Sequence, residues 1–198
     1  MRNLAFLLGG ALLLAACETT PPPPPPPPPV APVDLSNPLL APGFLAQAGS
    51  GDQFEIQSSQ LALTASQNQA VRNFANFMIA AHTQMSQNMA ATAQSAGIAP
   101  PAPALLPAQQ SALDQLRAAG SGPSFDLAYK NAQIAAHQGA LSLFQNYATG
   151  GDVPPLKTAA SQALPIIQMH LSQAQALNVA PLPPPPPLPS ARRAGERG

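Results

Sequence analysis

The chain has 198 residues, of which only 8 per cent are charged, and its eight basic and eight acidic residues give a formal net charge of zero. So few and so balanced charges exclude the basic surface that nucleic-acid binding requires. The single cysteine excludes an intramolecular disulfide. We therefore expect one domain of roughly 140 residues that is stabilised by its apolar core alone.

The N-terminus has the organisation of an export signal. Arg2 precedes an apolar stretch from Leu4 to Leu14, which is too short to span a membrane because a span needs about 20 residues. The stretch ends in Leu14-Ala15-Ala16-Cys17. This run resembles the cleavage box of bacterial lipoproteins, in which the thiol of the cysteine is acylated. We expect residues 1–16 to be a signal peptide and Cys17 to carry the lipid, palmitate included. The alternative is a plain secretory signal with an incidental cysteine.

The residue after the cysteine predicts where the lipoprotein is sorted. It is Glu18 rather than Asp, and under the usual sorting rule for such lipoproteins this implies the outer membrane of a Gram-negative bacterium, on the periplasmic side. Two or more acyl chains would form a stable membrane anchor, whereas a single chain binds only marginally.

A polyproline run separates the anchor from the domain. Pro21–Pro29 is uninterrupted, and at about 3.1 Å per residue it would extend roughly 28 Å as a stiff spacer. Residues 17–41 are thus predicted to be anchor and linker. As an alternative, the run could dock into an aromatic groove of a protein partner, although the sequence does not indicate which partner.

Two long helical patterns follow the linker. The first extends from about Pro42 to Ser66, and Gly49 and Gly51 weaken it, so a break near Gly51 is expected. The second begins after Asn68 and extends to about Ala96. Its apolar residues recur at steps of three and four, which is typical of one helix face: Val71, Phe74, Met78, Ala81 and Met85.

Three further helices are predicted after a proline-rich crossover. A short one covers about Ala108–Ala119, and a long one begins near Ser124 and ends at Gly150. Asp152 is expected to cap the last helix. Residues 179–198, rich in proline, are expected to be a disordered tail. The last helix has its inward residues at alternating steps of four and three: Leu156, Ala160, Ala163, Ile167, His170, Ala174 and Leu177.

The pattern predicts an all-α fold over residues 42–178, an antiparallel four-helix bundle with a short extra helix in the crossover. Motifs on all four long helices carry a family resemblance: Phe54-Glu55-Ile56, Phe74-Ala75 with Met78 and His82, Phe125-Asp126 with Tyr129 and His137, and Leu164-Pro165 with His170. With these motifs the chain resembles a ferritin-like bacterial family catalogued as domain of unknown function 4142. The resemblance implies a ferritin-like fold but no activity. Members often have an acid where this chain has Ala81.

One set of polar residues could support chemistry. Glu55 and His82 each lie about 12 or 13 residues from the turn between the first two long helices, or roughly 20 Å along a helix axis. His137 lies at a similar distance from the turn near Gly150, and His170 about one helical turn lower. Since the three histidines occupy apolar faces, we expect all four side chains to point inward and to meet in one layer.

Two interpretations of this layer remain open. In the first, Glu55 and the histidines form a buried hydrogen-bonded network in a binding or structural module that is not an enzyme. In the second, Glu55, His82, His137 and His170 bind one zinc, copper or iron ion in a metal-binding or redox protein. The sequence assigns no catalytic residue.

More specific chemistries have less support. A dinuclear ferritin-type site needs a carboxylate from each helix and two Glu-x-x-His pairs, which the chain lacks. No Ser-His-Asp triad and no phosphate-binding glycine loop is present. Thioethers near the histidines could favour copper(I), although methionine is also common in cores: Met78, Met85, Met89 and Met169.

Overall fold

The structure is a computed structural model that describes residues 35–179. Within this range the chain forms five helices and no strand, as the all-α prediction requires. The helices are α1 (Ala41–Ala65), α2 (Gln69–Ser95), α3 (Pro107–Ala118), α4 (Pro123–Gly150) and α5 (Pro154–Ala176). The predicted signal peptide, Cys17, most of the linker and nearly all of the predicted tail lie outside the described residues.

The helices begin at local signals in the sequence. Four of them have a proline in their first turn, where the missing amide hydrogen costs nothing and the fixed φ favours the helix. α2 instead has a side-chain cap, because the Asn68 carboxamide oxygen accepts a hydrogen bond from the amide of Ala70 at 2.9 Å. The short crossover helix is confirmed as α3.

Helix α1 corrects the expectation of a break. It is continuous through Gly49 and Gly51 over 25 residues. Each glycine costs a helix about 1 kcal/mol relative to alanine. Burial of a long face outweighs this cost, since Phe44, Ala48 and Phe54 are all at most 6 per cent exposed.

The cap of α5 is a second correction. Its N-cap is Val153, which has no side-chain hydrogen bond. The carboxylate of Asp152 instead accepts a hydrogen bond from the Tyr147 hydroxyl at 2.9 Å. Asp152 therefore ties the turn to the end of α4 rather than capping the helix that follows.

The four long helices pack in pairs around two apolar clusters. α1 contacts α2 and α4, and α5 also contacts α2 and α4, while α3 packs on α1 and α4. The first apolar cluster contains Phe54, Val71, Phe74, Ala75, Met78, Leu113, Leu116, Phe125, Tyr129 and Ala174 among its members. The second apolar cluster includes Phe44, Leu45, Met89, Phe144, Tyr147, Leu156, Ala163 and Ile167.

The inward face predicted for the last helix is confirmed. All seven of its residues are buried in the structure. Pro165 lies inside α5 without ending the helix, although a proline at this position leaves the carbonyl four residues earlier, that of Ser161, without its helical partner. In the described range, none of the helices has the length and hydropathy of a membrane-crossing segment.

Candidate metal centre

The three histidines lie between the two apolar clusters. On α2, His82 follows Met78 of the first cluster and precedes Met89 of the second. His137 and His170 have equivalent positions on α4 and α5. Their exposed fractions are 5, 1 and 0 per cent. The core is therefore divided by a buried polar layer that each of these helices supplies with one imidazole.

The imidazoles form a nearly equilateral triangle. The ring centroids of His82 and His137 are 5.5 Å apart, those of His82 and His170 5.3 Å, and those of His137 and His170 5.5 Å. One nitrogen from each ring can be chosen so that the three atoms all lie within 4.8 Å of one another. The side chain of His170 thus meets the other two imidazoles in one layer.

His82 is oriented by a carboxyl group that the sequence analysis missed. Its Nδ1 lies 2.8 Å from Oδ1 of Asp52 on α1, and both side chains are buried. With Nδ1 engaged in this way, Nε2 is the nitrogen that can bind another group, and Nε2 has no hydrogen-bond partner among the described residues. In metal sites, a carboxylate typically hydrogen-bonds to the histidine nitrogen that does not bind the metal.

His137 is oriented by the backbone of its own helix. Its Nδ1 donates a hydrogen bond of 2.8 Å to the carbonyl oxygen of Gln133, one turn earlier on α4. This bond fixes the tautomer in which Nε2 has a free lone pair. In residues 35–179 that Nε2 atom has no hydrogen-bond partner. His82 and His137 therefore present the same nitrogen to the centre.

His170 completes the triangle without such support. Neither of its nitrogens has a hydrogen-bond partner in the described part of the chain. The ring of Phe77, on α2, packs edge-on against it with centroids 5.3 Å apart. His170 thus has an aromatic neighbour in addition to the two imidazoles.

Glu55 lies beside the triangle rather than in it. Its Oε1 is 3.7 Å from Nδ1 of His137, so the carboxyl group is next to the nitrogen that already bonds to Gln133. It does not belong to the group of ligand atoms that lie within 4.8 Å of one another. Both of its oxygens are buried and have no hydrogen bond of normal geometry among the described residues, although the nearby Gln133 side chain lowers the pKa of Glu55 and so partly offsets the effect of burial.

Burial holds all three imidazoles in the neutral form. It lowers the pKa of His82 and of His137 to about 4, and that of His170 to about 3. Proximity acts in the same direction, since a charge on any one ring disfavours a charge on its neighbours. At neutral pH the rings are thus already deprotonated, which is the state that binds a metal ion.

The two carboxyl groups are perturbed in the opposite direction. Burial raises the pKa of Asp52 to about 8, and it also raises that of Glu55 to about 8, where Asp52 contributes in the same sense. A cation at the triangle would favour the ionised form of both groups. The layer is therefore built from groups that are neutral on their own and become ionised in the presence of a positive charge.

A cavity of about 790 Å³ opens beside the triangle. Asp52, Glu55, His82 and His137 all line it, whereas His170 does not. Apart from these four side chains its wall is mainly apolar, with Phe54 and side chains of α4 among the lining residues.

The methionines are distributed unevenly around the layer. Met78 and Met89 are buried in the apolar clusters, and Met85 is half-buried and lines the cavity. Met169 is 44 per cent exposed and points away from the core. Met78 and Met89 therefore serve in packing, and of the four methionines Met85 shares the cavity with the histidines.

The sequence contained a signal for Asp52 that could have been used. Asp52 and Glu55 are three residues apart on α1 and are both buried, and side chains at this spacing share a helix face. A break near Gly51 would have placed Asp52 at the end of a helical segment, where its side chain would have no fixed direction.

Comparison with known proteins identifies a family. The sequence model of the family described as Domain of unknown function (DUF4142) matches residues 26–177. This range contains α1 to α5 and all five residues of the polar layer. No curated protein and no solved structure matches the chain.

Proposed function

The chain belongs to the family described as Domain of unknown function (DUF4142), and we propose that its helical domain binds a single transition-metal ion through His82, His137 and His170. The observation that carries the proposal is the convergence of three buried, neutral imidazoles whose free nitrogens have no partner among the described residues. Asp52 and the Gln133 carbonyl would orient the first two ligands.

The spacing of the nitrogens suits a small metal ion. Bonds of about 2.0 to 2.1 Å from three imidazoles require the nitrogens to lie about 3.3 to 3.6 Å apart. The nitrogens here lie within 4.8 Å of one another. A movement of each nitrogen by about 1 Å or less toward the centre of the triangle would therefore bring it to bonding distance. Side-chain rotamers can supply movements of this size without a change in the helices.

The ligand set selects a class of metal. Imidazole nitrogen suits zinc, copper and iron, whereas calcium and magnesium require oxygen ligands. When bound, such an ion would supply a Lewis acid or a redox centre. The residues themselves would bind it, and the Gln133 carbonyl would hold the tautomer of His137 in a layer where all three imidazoles are buried.

The competing interpretation is a buried polar network without a metal. Such a network stabilises a core only when its members satisfy one another. In this layer, six polar atoms on Glu55 and the three histidines lack a hydrogen-bond partner among the described residues, and each would cost about 1 to 3 kcal/mol if left unsatisfied. The geometry therefore favours a bound cation.

Elemental analysis of the full-length chain, purified without chelator, tests the proposal. We expect about one equivalent of metal per chain, and we expect His137→Ala and His170→Ala each to remove it. Leu171→Ala is the matched control, because it deletes a buried side chain next to His170 that offers no ligand. Metal-free wild-type protein whose melting temperature is unchanged by EDTA would establish the network instead.

The helix contacts support a further proposal about the fold. Each long helix contacts two others in the order α1, α4, α5, α2 and back to α1. We propose that this ring is an antiparallel four-helix bundle of the ferritin-like kind, over residues 42–178. An experimental structure in which the long helices do not enclose one common core would contradict it.

We also propose that the chain is an outer-membrane lipoprotein. The support is the sequence alone, since Cys17 and the preceding signal lie outside the described residues. The lipid on Cys17 would hold the helical domain at the periplasmic side, with residues 17–41 as a spacer. This location would place the metal centre in the cell envelope.

Membrane fractionation of cells that express the chain tests this location. Wild type is expected in the outer-membrane fraction, and Cys17→Ala is expected to be soluble in the periplasm because it cannot be acylated. If the Cys17→Ala protein stays in the membrane fraction, the proposal that a lipid on Cys17 anchors the chain is wrong. The metal measurement on the same variant is independent of this result.

A further inference from the structure

The cavity beside the histidines has a mainly apolar wall and four ionisable side chains. We infer that it admits a small organic ligand with an apolar body and one anionic donor group, which occupies the open coordination position of the metal. This inference rests on the metal-binding function proposed above. It adds the class of molecule that the site binds.

The described residues supply three ligands, which is one fewer than a four-coordinate ion needs. A four-coordinate ion held by three imidazoles keeps one position open. In the described range, no other histidine, cysteine or carboxyl group joins the three within 4.8 Å. Asp52 is engaged with Nδ1 of His82, and Glu55 lies next to Nδ1 of His137. Residues 35–179 therefore leave the fourth position to a ligand that they do not supply.

The open position is reached through the cavity. His82 and His137 line the cavity, whereas His170 packs against Phe77 and does not line it. The cavity is therefore an approach to the metal position beside two of the three imidazoles. Its volume of about 790 Å³ lies within the range of about 300 to 1,000 Å³ found for small-molecule sites.

The cavity walls select the body of the ligand. Its apolar wall includes Ile167, Leu143 and Phe144. Among the described residues, no lysine or arginine lines it, and the ionisable groups that do are the two carboxyl groups and two histidines beside the metal position. A molecule with several charges would find no partner along this wall. A ligand with a single donor group at the metal and an aliphatic or aromatic body therefore matches the polar and apolar parts of the cavity wall.

Alkyl hydroxamates of increasing length test the inference on cobalt(II)-loaded full-length protein. The hydroxamate is an anionic donor group that is constant along the series acetohydroxamate, butanohydroxamate and hexanohydroxamate. Cobalt(II) reports its own coordination through its visible absorption. We expect each ligand to change that spectrum, and we expect the dissociation constant to fall about twofold to fourfold for each added methylene group, because the chain is buried in the cavity.

Two glycines of α1 offer matched variants. A Cβ atom built at Gly51 or at Gly49 meets no atom within 4 Å, so the first atom of a side chain has space at both positions. Gly51 lines the large cavity and Gly49 does not. Gly51→Leu is expected to abolish the dependence on chain length, while Gly49→Leu keeps it. The ligand-free cobalt spectrum of each variant shows whether its metal site is intact.

The outcomes separate the two proposals. If cobalt does not bind to the wild type, the metal-binding function is wrong and this inference is wrong with it. If cobalt binds but no hydroxamate alters its spectrum, the open position is not accessible, and only the inference is overturned. The inference is also overturned if all three ligands bind equally well, or if Gly51→Leu retains the chain-length dependence.

Discussion

Among single residues, Asp52 determines how well the site is organised. Its carboxyl group holds Nδ1 of His82 at 2.8 Å and so directs Nε2 of that ring toward the other imidazoles. A carboxylate in this position also makes the imidazole a better electron donor. His137 has a backbone carbonyl in the equivalent position, which no substitution can remove. Asp52 is thus the one supporting residue of the layer that mutagenesis can test directly.

We predict that Asp52→Asn weakens metal binding by about 10-fold to 100-fold, because a neutral amide replaces the carboxylate behind His82. The measurement is a competition titration against a chromophoric chelator. Asp114→Asn is a suitable control, since Asp114 is exposed on α3 and pairs with the exposed Arg117 rather than with a residue of the layer. An unchanged affinity in Asp52→Asn would show that the carboxyl group does not support a metal ligand.

Among the helices, α1 shows how packing overrides local preference. Its glycines at positions 43, 49 and 51 all lie within one continuous helix, although each reduces the intrinsic stability of that helix. The positions differ in their surroundings. A Cβ at Gly49 meets no atom within 4 Å, whereas a Cβ at Gly43 would collide with the backbone carbonyl of Asn37. Only Gly43 is required by a close approach of the chain.

This difference predicts opposite effects for the same substitution. Gly49→Ala should raise the free energy of unfolding by about 0.4 to 1 kcal/mol, because alanine restricts the unfolded chain and favours the helix. Gly43→Ala should lower it by about 1 to 3 kcal/mol, because the added methyl group displaces the Asn37 backbone. Urea denaturation of both variants checks this. The same sign for both would contradict the packing described around α1.

At the scale of the whole molecule, the polar layer makes stability depend on pH. In the metal-free protein the three histidines have pKa values of about 3 to 4, below their unfolded value of about 6.5. Between pH 4.5 and 6.5 they favour the folded state increasingly as pH rises. Asp52 and Glu55, with pKa values of about 8, act in the opposite sense from about pH 4 to 8.

The balance predicts a maximum of stability near pH 6.5. Below it the unfolded chain binds three more protons on the histidines and two fewer on the carboxyl groups, so stability rises with pH. Above it only the carboxyl groups change, so stability falls toward pH 8. Urea midpoints in EDTA at pH 5, 6.5 and 8 measure this curve. Stability that rises from pH 6.5 to 8 would contradict it, and Asp52→Asn with Glu55→Gln should abolish the fall.

The sequence by itself determined the helices and the inward faces of the histidines. Proline and glycine end or begin helices through the backbone of one or two residues, and a three-and-four spacing places residues on one face whatever lies opposite. These are local effects. For this reason the short helix α3, the ends of α4 and the buried face of α5 could all be predicted, as could the burial of His170.

Only the tertiary structure decided what the buried groups do. Whether α1 breaks at Gly51 depends on the burial of its neighbours, and the partnership of Asp52 with His82 joins residues that are 30 positions apart. The cavity beside His137 likewise exists because of the side chains that several helices bring together. Such properties depend on distances and directions between helices, which helical spacing within one segment does not contain.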